Sequence, residues 1–172
     1  ALMNVTDKES IQAVCEKILL IHSKVDILVN NAAIDPKVSN SSQISEASRF
    51  ENFDIESWNF QIDVGLTGAF YCCQVFGSEM AKQKKGVILN VASDLAVIAP
   101  DQRLYSVEGR AESLQPVKPV TYSVIKFALI GLTKYLSSYW AKEGVRVNAI
   151  SPGGVFNNHP DAFVQRIQKL IR

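Results

Sequence analysis

Residues 86–94 read Gly-Val-Ile-Leu-Asn-Val-Ala-Ser-Asp, an apolar, β-branched run that stops at a small, polar turn. Such a run reads as a buried strand, and its carboxyl end carries Ser93 and Asp94. The same signature occurs twice more. Residues 25–29, apolar apart from Asp26, run into Asn30-Asn31-Ala32-Ala33, and 145–150 run into Ser151-Pro152-Gly153-Gly154. Between these strands lie two long helical stretches, about 55–83 with Gly65 and Gly68 inside it, and about 120–143. Strands alternating with long helices predict an α/β fold whose parallel sheet is covered on both faces.

Working outward, Ala1-Leu2-Met3 reads as the tail of a buried strand. Thr6-Asp7-Lys8-Glu9 reads as a capping box, with threonine and glutamate three apart. Behind it Ile11, Val14, Ile18 and Leu19 recur at helical spacing, which predicts an amphipathic helix to about residue 23. Residues 34–54, with Pro36 and a Ser/Asn cluster, read as a loop. Residues 95–119, with Pro100, Pro116 and Pro119, read as irregular, and about 160–170 reads as a last amphipathic helix. There is no internal repeat.

The chain has 172 residues, 47% hydrophobic and 20% charged, as expected of one globular domain. A net charge of +1, with no basic stripe, argues against nucleic-acid and membrane-surface partners. No apolar run approaches the roughly 18 residues of a membrane span, and no signal-peptide pattern opens the chain. The three cysteines, Cys15, Cys72 and Cys73, lack metal or redox spacing, so reduced thiols in a cytoplasmic protein are expected. His22 and His159 have no partner at ligand spacing, and no metal site is expected.

In open α/β sheets, ligands bind beyond the carboxyl ends of the strands. A helix beginning near 120 adds Tyr122 and Lys126, whose i, i+4 spacing makes them neighbours on one face. A phenol with pKa near 10 is a poor base at neutral pH, but an adjacent ammonium favours the phenolate. Lowering it by three units takes about 4 kcal/mol. Ser93, at a neighbouring strand end, can donate to the same substrate oxygen. The set makes a proton relay for interconverting an alcohol and a carbonyl, with the hydride carried by a cofactor. Taken alone, Tyr-x-x-x-Lys is also what a surface tyrosine beside a solvated lysine looks like.

The order of the motifs is more specific than any one of them. Asn-Asn-Ala-Ala after a strand, Ser after the next, Tyr-x-x-x-Lys on a helix, then Val-Asn-Ala-Ile-Ser-Pro-Gly-Gly resembles the short-chain dehydrogenase/reductase superfamily, in its shorter branch. The resemblance runs from residue 2 to about 157. It implies a Rossmann-like, doubly wound three-layer αβα sheet in one partial domain over 1–172. It also implies NAD or NADP as cofactor and a small alcohol or ketone as substrate. By that similarity Tyr122 is the acid/base, Ser93 the donor to the substrate oxygen with Asp94 beside it, and Lys126 the holder of the nicotinamide ribose. Asn4 and Val5 would flank the adenine, and Asn31, Ala32 and Ala33 would line the adenosine side. Pro152, Gly153 and Val155 would border the nicotinamide, with Asn157 where the family usually has a threonine. Family members pair the helices near 55–83 and 120–143 into homodimers or homotetramers, which is expected here too.

The chain also departs from the family pattern. The glycine-rich turn that seats the pyrophosphate is absent, so the fold expected is incomplete, without the first two strands and the last. The strand read at 1–3 would then have no neighbour, and this polypeptide alone would bind cofactor weakly. Gly65 stands where the family has an asparagine whose carbonyl completes the relay. It either keeps that role through its own carbonyl or only permits close packing. Ser93 and Tyr122 lie 29 positions apart, more than double the usual spacing. The added residues, with Arg103, Arg110 and Lys118, would cover the cleft and meet the 34–54 loop with its Lys37 and Arg49. A bulky or anionic sugar substrate is one reading, and a solvated loop the other. Ser151 to Pro160 resembles bacterial members of flagellin-modification and surface-sugar biosynthesis. A catalytically silent binding protein, or a lyase or epimerase on the same scaffold, are the alternatives to an oxidoreductase.

Overall fold

The computed structural model describes residues 1–34, 47–159 and 161–170. Three strands, β1 (Ile27–Asn30), β2 (Gly86–Val91) and β3 (Val145–Ile150), form one parallel sheet in the order β1-β2-β3. Leu28, Ile88 and Val147 lie in register on one face, and Asn30, Asn90 and Ala149 follow two residues on. The strands read from sequence at 86–91 and 145–150 have these bounds, the first a mostly apolar run and the second alternating buried Val145 and Val147 with exposed Arg146 and Asn148.

Helix α1 (Lys8–His22), the helical segment α2 over 55–82, and helix α3 (Val120–Tyr139) supply the cover. They share one core, in which Ile11, Cys15, Cys73, Phe76, Met80, Leu136 and Trp140 surround Ile88 and Val147. These helices sit on the Ile88 face. On the other face Ile27 is 66% exposed and Val29 51%, so among the described residues the sheet is covered on one side. The pattern of β1 remains that of a strand apolar on both sides. No helix among the described residues is long and apolar enough to cross a membrane.

Two N-terminal details differ from the sequence reading. Ala1–Met3 forms no strand, and Leu2 is 99% exposed, since no strand among the described residues lies beside it to accept a ladder. The cap of α1 is Asp7, whose carboxylate accepts the Glu9 N–H at 2.9 Å. Thr6 instead donates its hydroxyl to Asn4 Oδ1 at 2.9 Å. A carboxylate at the N-cap position is the stronger acceptor for a helix start, and the threonine sits one residue too early to reach it.

The long helix α2 is not uniformly α. It runs α over Ile55–Ile62, π over Asp63–Thr67, α over Gly68–Cys72, π over Cys73–Gly77 and α over Ser78–Lys82. Asp54 caps its start, accepting the Ser57 N–H at 2.7 Å, and this hydrogen bond holds its carboxyl below the usual carboxylate range. Each π turn contains a glycine against a large partner. A Cβ at Gly77 would lie 2.5 Å from the Trp140 ring, so glycine is what lets the indole close over the sheet. Helix α3 ends at Tyr139 rather than about 143, because Ala141–Glu143 tightens to a 3-10 turn ahead of Gly144 at φ 70.

Candidate active site

The carboxyl ends of β2 and β3 continue to pair past the strands. Ala92 N–H donates to the Ile150 carbonyl at 2.8 Å and Asp94 N–H to the Pro152 carbonyl at 3.0 Å. These bonds fix Ser93 and Asp94 beside Pro152. Ser93 is buried, and its Oγ donates to Asp94 Oδ1 at 2.8 Å while accepting the Leu95 N–H at 3.2 Å. It thereby caps the short 3-10 turn Asp94–Ala96. Helix α3 packs on that turn and on both strands.

Lys126 is 7% exposed, and its Nζ donates to the Val91 carbonyl at 2.7 Å. A buried ammonium is costly unless hydrogen-bonded, and here it is anchored to the last residue of β2, next to Ala92 and Ser93. Tyr122 lies one turn earlier on α3, with Lys126 Nζ 5.7 Å from its ring centroid and Lys118 Nζ 3.9 Å from it. The structure therefore gathers Tyr122, Lys126 and Ser93 at one end of the sheet. Lys118 is an addition that the sequence reading assigned only to the cleft cover.

Gly65 lies in the first π turn of α2 and is buried against Ile125, the residue before Lys126. A Cβ there would stand 2.8 Å from Ile125 Cγ2. An asparagine at this position would displace that side chain. Nearby, Thr121 donates its hydroxyl to the buried Gln61 Oε1 at 2.5 Å, tying α3 to α2 beside Tyr122. A second buried network runs from Asn30 Nδ2 to Asn90 Oδ1 at 2.8 Å, and from Asn90 Nδ2 to Thr133 Oγ1 at 2.8 Å. Sequence reasoning missed both. The available signal was a polar residue inside an otherwise apolar run, as at Asn90 and Thr121.

The residues read as cofactor-facing beyond the strands lie at the ends of β1 and β3, on either side of β2. Asn31, Ala32 and Ala33 are exposed beyond β1, and Pro152, Gly153, Val155 and Asn157 are exposed beyond β3. Gly153 looks onto Asp94, whose Oδ2 would be 3.8 Å from a Cβ placed there. Asn157 N–H donates to His159 Nδ1 at 3.2 Å. Asn4 is exposed, with its Oδ1 used by Thr6, and Val5 packs on Gly68 of α2. Small residues beside a buried ammonium suit the nicotinamide-ribose end of NAD or NADP. The 172 residues hold no glycine-rich strand-to-helix turn for the pyrophosphate.

The 95–119 segment is built from 3-10 turns and side-chain bonds. Gln115 accepts the Val107 N–H at 2.7 Å and donates to the Arg110 carbonyl at 2.7 Å. Arg49 NH1 donates to the Glu112 carbonyl at 3.2 Å, and Ser48 Oγ accepts the Val117 N–H at 3.3 Å, so the preceding loop does meet this segment. Lys37 lies outside the described residues. Arg103 does not offer a free cation to the cleft. It is paired with Asp101, which it holds below the usual carboxylate range through hydrogen bonds as short as 2.5 Å. Helix α4 (Asp161–Leu170) closes the arrangement, with Arg166 NH1 donating to the Ser106 carbonyl at 2.6 Å and Phe163 5.8 Å from the Tyr105 ring. Two open cavities, about 360 and 530 Å³, flank the start of α3 along Ser123 and Val124. Ser123 and Val124 follow Tyr122 round α3 at about 100° per residue, and Lys118, which lies at the Tyr122 ring, also lines the smaller cavity.

The short chain dehydrogenase family matches residues 1–162. A D-threitol dehydrogenase from Mycolicibacterium smegmatis is 31% identical over 149 residues, covering 87% of this chain and 47% of that protein. The solved short chain dehydrogenase from Leptospira borgpetersenii with bound NAD+ is 31% identical with a TM-score of 0.77, over 94% of this chain and 56% of that one. A gluconate 5-dehydrogenase from Burkholderia cenocepacia, solved with NADP and tartrate, has a TM-score of 0.78 at 22% identity, over 98% and 58%. The chain thus spans about half the length of the relatives it matches.

Proposed function

Because the chain belongs to the short-chain dehydrogenase/reductase family, we propose that its strand-end site interconverts a secondary alcohol and a ketone, with NAD or NADP as redox partner. The observation that carries this reading is the anchoring of Lys126 Nζ on the Val91 carbonyl at 2.7 Å, with Tyr122 one turn away on α3 and Ser93 two residues past Val91.

The dinucleotide, when bound, takes up or supplies the hydride. Tyr122 Oη holds the proton, accepting it from the alcohol in oxidation and returning it to the ketone oxygen in reduction. Lys126 favours the phenolate by its charge and faces the nicotinamide ribose. Ser93 Oγ turns its proton from Asp94 to the substrate oxygen and fixes the reacting carbon. Pro152, Gly153, Val155 and Asn157 border the nicotinamide, and Asn31 to Ala33 with Asn4 and Val5 serve the adenosine end.

A sugar alcohol or sugar is the substrate class favoured, since a D-threitol dehydrogenase is among the relatives. The working assembly is a homodimer or homotetramer through α2 and α3, supported by exposed Phe60, Phe70, Phe127, Tyr135 and Tyr139 on those helices. A reducing, cytoplasmic setting fits three cysteines that are all free. The alternative of a silent family member draws on Gly65, whose packing against Ile125 leaves no room for the usual asparagine. Reduced-nicotinamide absorbance with threitol, glycerol and galactitol, in either cofactor, separates the two. Turnover of any supports the oxidoreductase, and silence across the panel supports the binding protein.

A further inference from the structure

We infer that Lys118 is a second cation acting on Tyr122, delivered by the 95–119 segment to hold the phenolate form jointly with Lys126. The first support is distance. Lys118 Nζ lies 3.9 Å from the Tyr122 ring centroid, closer than Lys126 at 5.7 Å. An ammonium at that range over an aromatic face is attracted by the ring, and more strongly once the ring carries the phenolate charge.

The second support is how the segment is held. Lys118 N–H donates to Gln102 Oε1 at 2.8 Å, and Val117 N–H donates to Ser48 Oγ at 3.3 Å. Pro116 and Pro119 are both buried on either side, and proline fixes φ near −65°. Arg49 and Gln115 brace the turn before them. The backbone of Lys118 is therefore set by contacts that do not involve its ammonium, and the side chain is directed at the start of α3. A solvated surface loop would need none of this bracing.

Other charges near Tyr122 must be weighed. Helix α3 carries Lys126, the 94–96 turn packed on it carries Asp94, and α2 carries Glu56 and Asp63. Asp94 opposes the cations, but its carboxylate is taken by Ser93 Oγ and the Leu95 N–H, and it is common to every variant compared.

The inference rests on Tyr122 being the acid/base, and its test does not need turnover. Ultraviolet titration of tyrosinate in the whole protein, differenced against Tyr122→Phe, isolates the Tyr122 step. In Lys118→Met, and in Lys118→Gln as a second variant, that step is expected to move up by about one pH unit, a tenfold change in the phenolate fraction. Lys118→Arg restores it. A step that stays in place in folded Met and Gln variants overturns the role of Lys118 and leaves the oxidoreductase reading standing. A shifted step in a protein that turns over no alcohol does the reverse.

Discussion

At the scale of single residues, Gly65 and the adjacent Cys72 and Cys73 give the sharpest expectations. Gly65→Asn forces a Cβ to 2.8 Å from Ile125 Cγ2, and overpacking of this kind costs about 1–3 kcal/mol. Chemical denaturation is expected to show that loss, and Ile125→Val, by removing crowded carbon from the contact, is expected to recover part of it. Equal stability of Gly65→Asn and the parent would mean that α2 and α3 separate freely at this point. Burial pushes the Cys72 thiol up to about 11 and that of Cys73 to about 12, from 9.0. A raised thiol pKa favours the neutral form in the folded state, so the stability it contributes is full below pH 9 and falls as pH rises toward 11 and 12. Denaturation midpoints are therefore expected to drop between pH 9 and 11, and the drop is expected to shrink in Cys72→Ala/Cys73→Ala. Thiol alkylation near pH 8 should be slow until the protein unfolds.

At the scale of elements, the sheet depends on polar groups inside apolar runs. Asn90 links Asn30 on β1 to Thr133 on α3 through bonds of 2.8 Å each. Replacing Asn90 with leucine removes both bonds, leaving Asn30 Nδ2 its weaker contact with Cys73 Sγ at 3.2 Å and Thr133 its bond to the Leu129 carbonyl. Such a loss in a buried network costs about 1–3 kcal/mol. Urea unfolding of Asn90→Leu should show a loss of that order, and Asn30→Ala/Asn90→Leu should cost less than the two single losses added. Those same elements show what a sequence can and cannot tell. Strands β2 and β3 were legible to the residue because apolar runs end at Ser, Asp and Pro turns. Helix α3 was legible from spacing, but its last turn was not, since the 3-10 tightening at 141–143 follows from Gly144 and the Trp140 packing. The choice of Asp7 over Thr6 as cap turns on a one-residue offset that spacing alone leaves open. The cover on one face, and the packing of Gly65 on Ile125, depend on which elements approach, and no single stretch of sequence encodes that.

At the scale of the whole molecule, the proposed catalytic ledge lies where the parallel strands end. That Tyr122, Lys126 and Ser93 gather at one end of the sheet was legible because the order of their motifs along the chain is specific. The anchor of Lys126, the Val91 carbonyl, was not, because a backbone group carries no letter. The residues proposed to border the nicotinamide lie in this chain, while no glycine-rich phosphate turn stands in its 172 residues. Dinucleotide titration of this polypeptide alone is accordingly expected to show weak or no binding, and micromolar affinity would contradict that division of labour. The central claim is that Tyr122 moves the proton that accompanies hydride transfer. The direct measurement is reduced-nicotinamide formation from a polyol by the whole protein and by Tyr122→Phe, with cofactor binding measured alongside. The account predicts a loss of about 10²- to 10⁴-fold in kcat with dinucleotide affinity nearly unchanged. Turnover by Tyr122→Phe at the parent rate would contradict it.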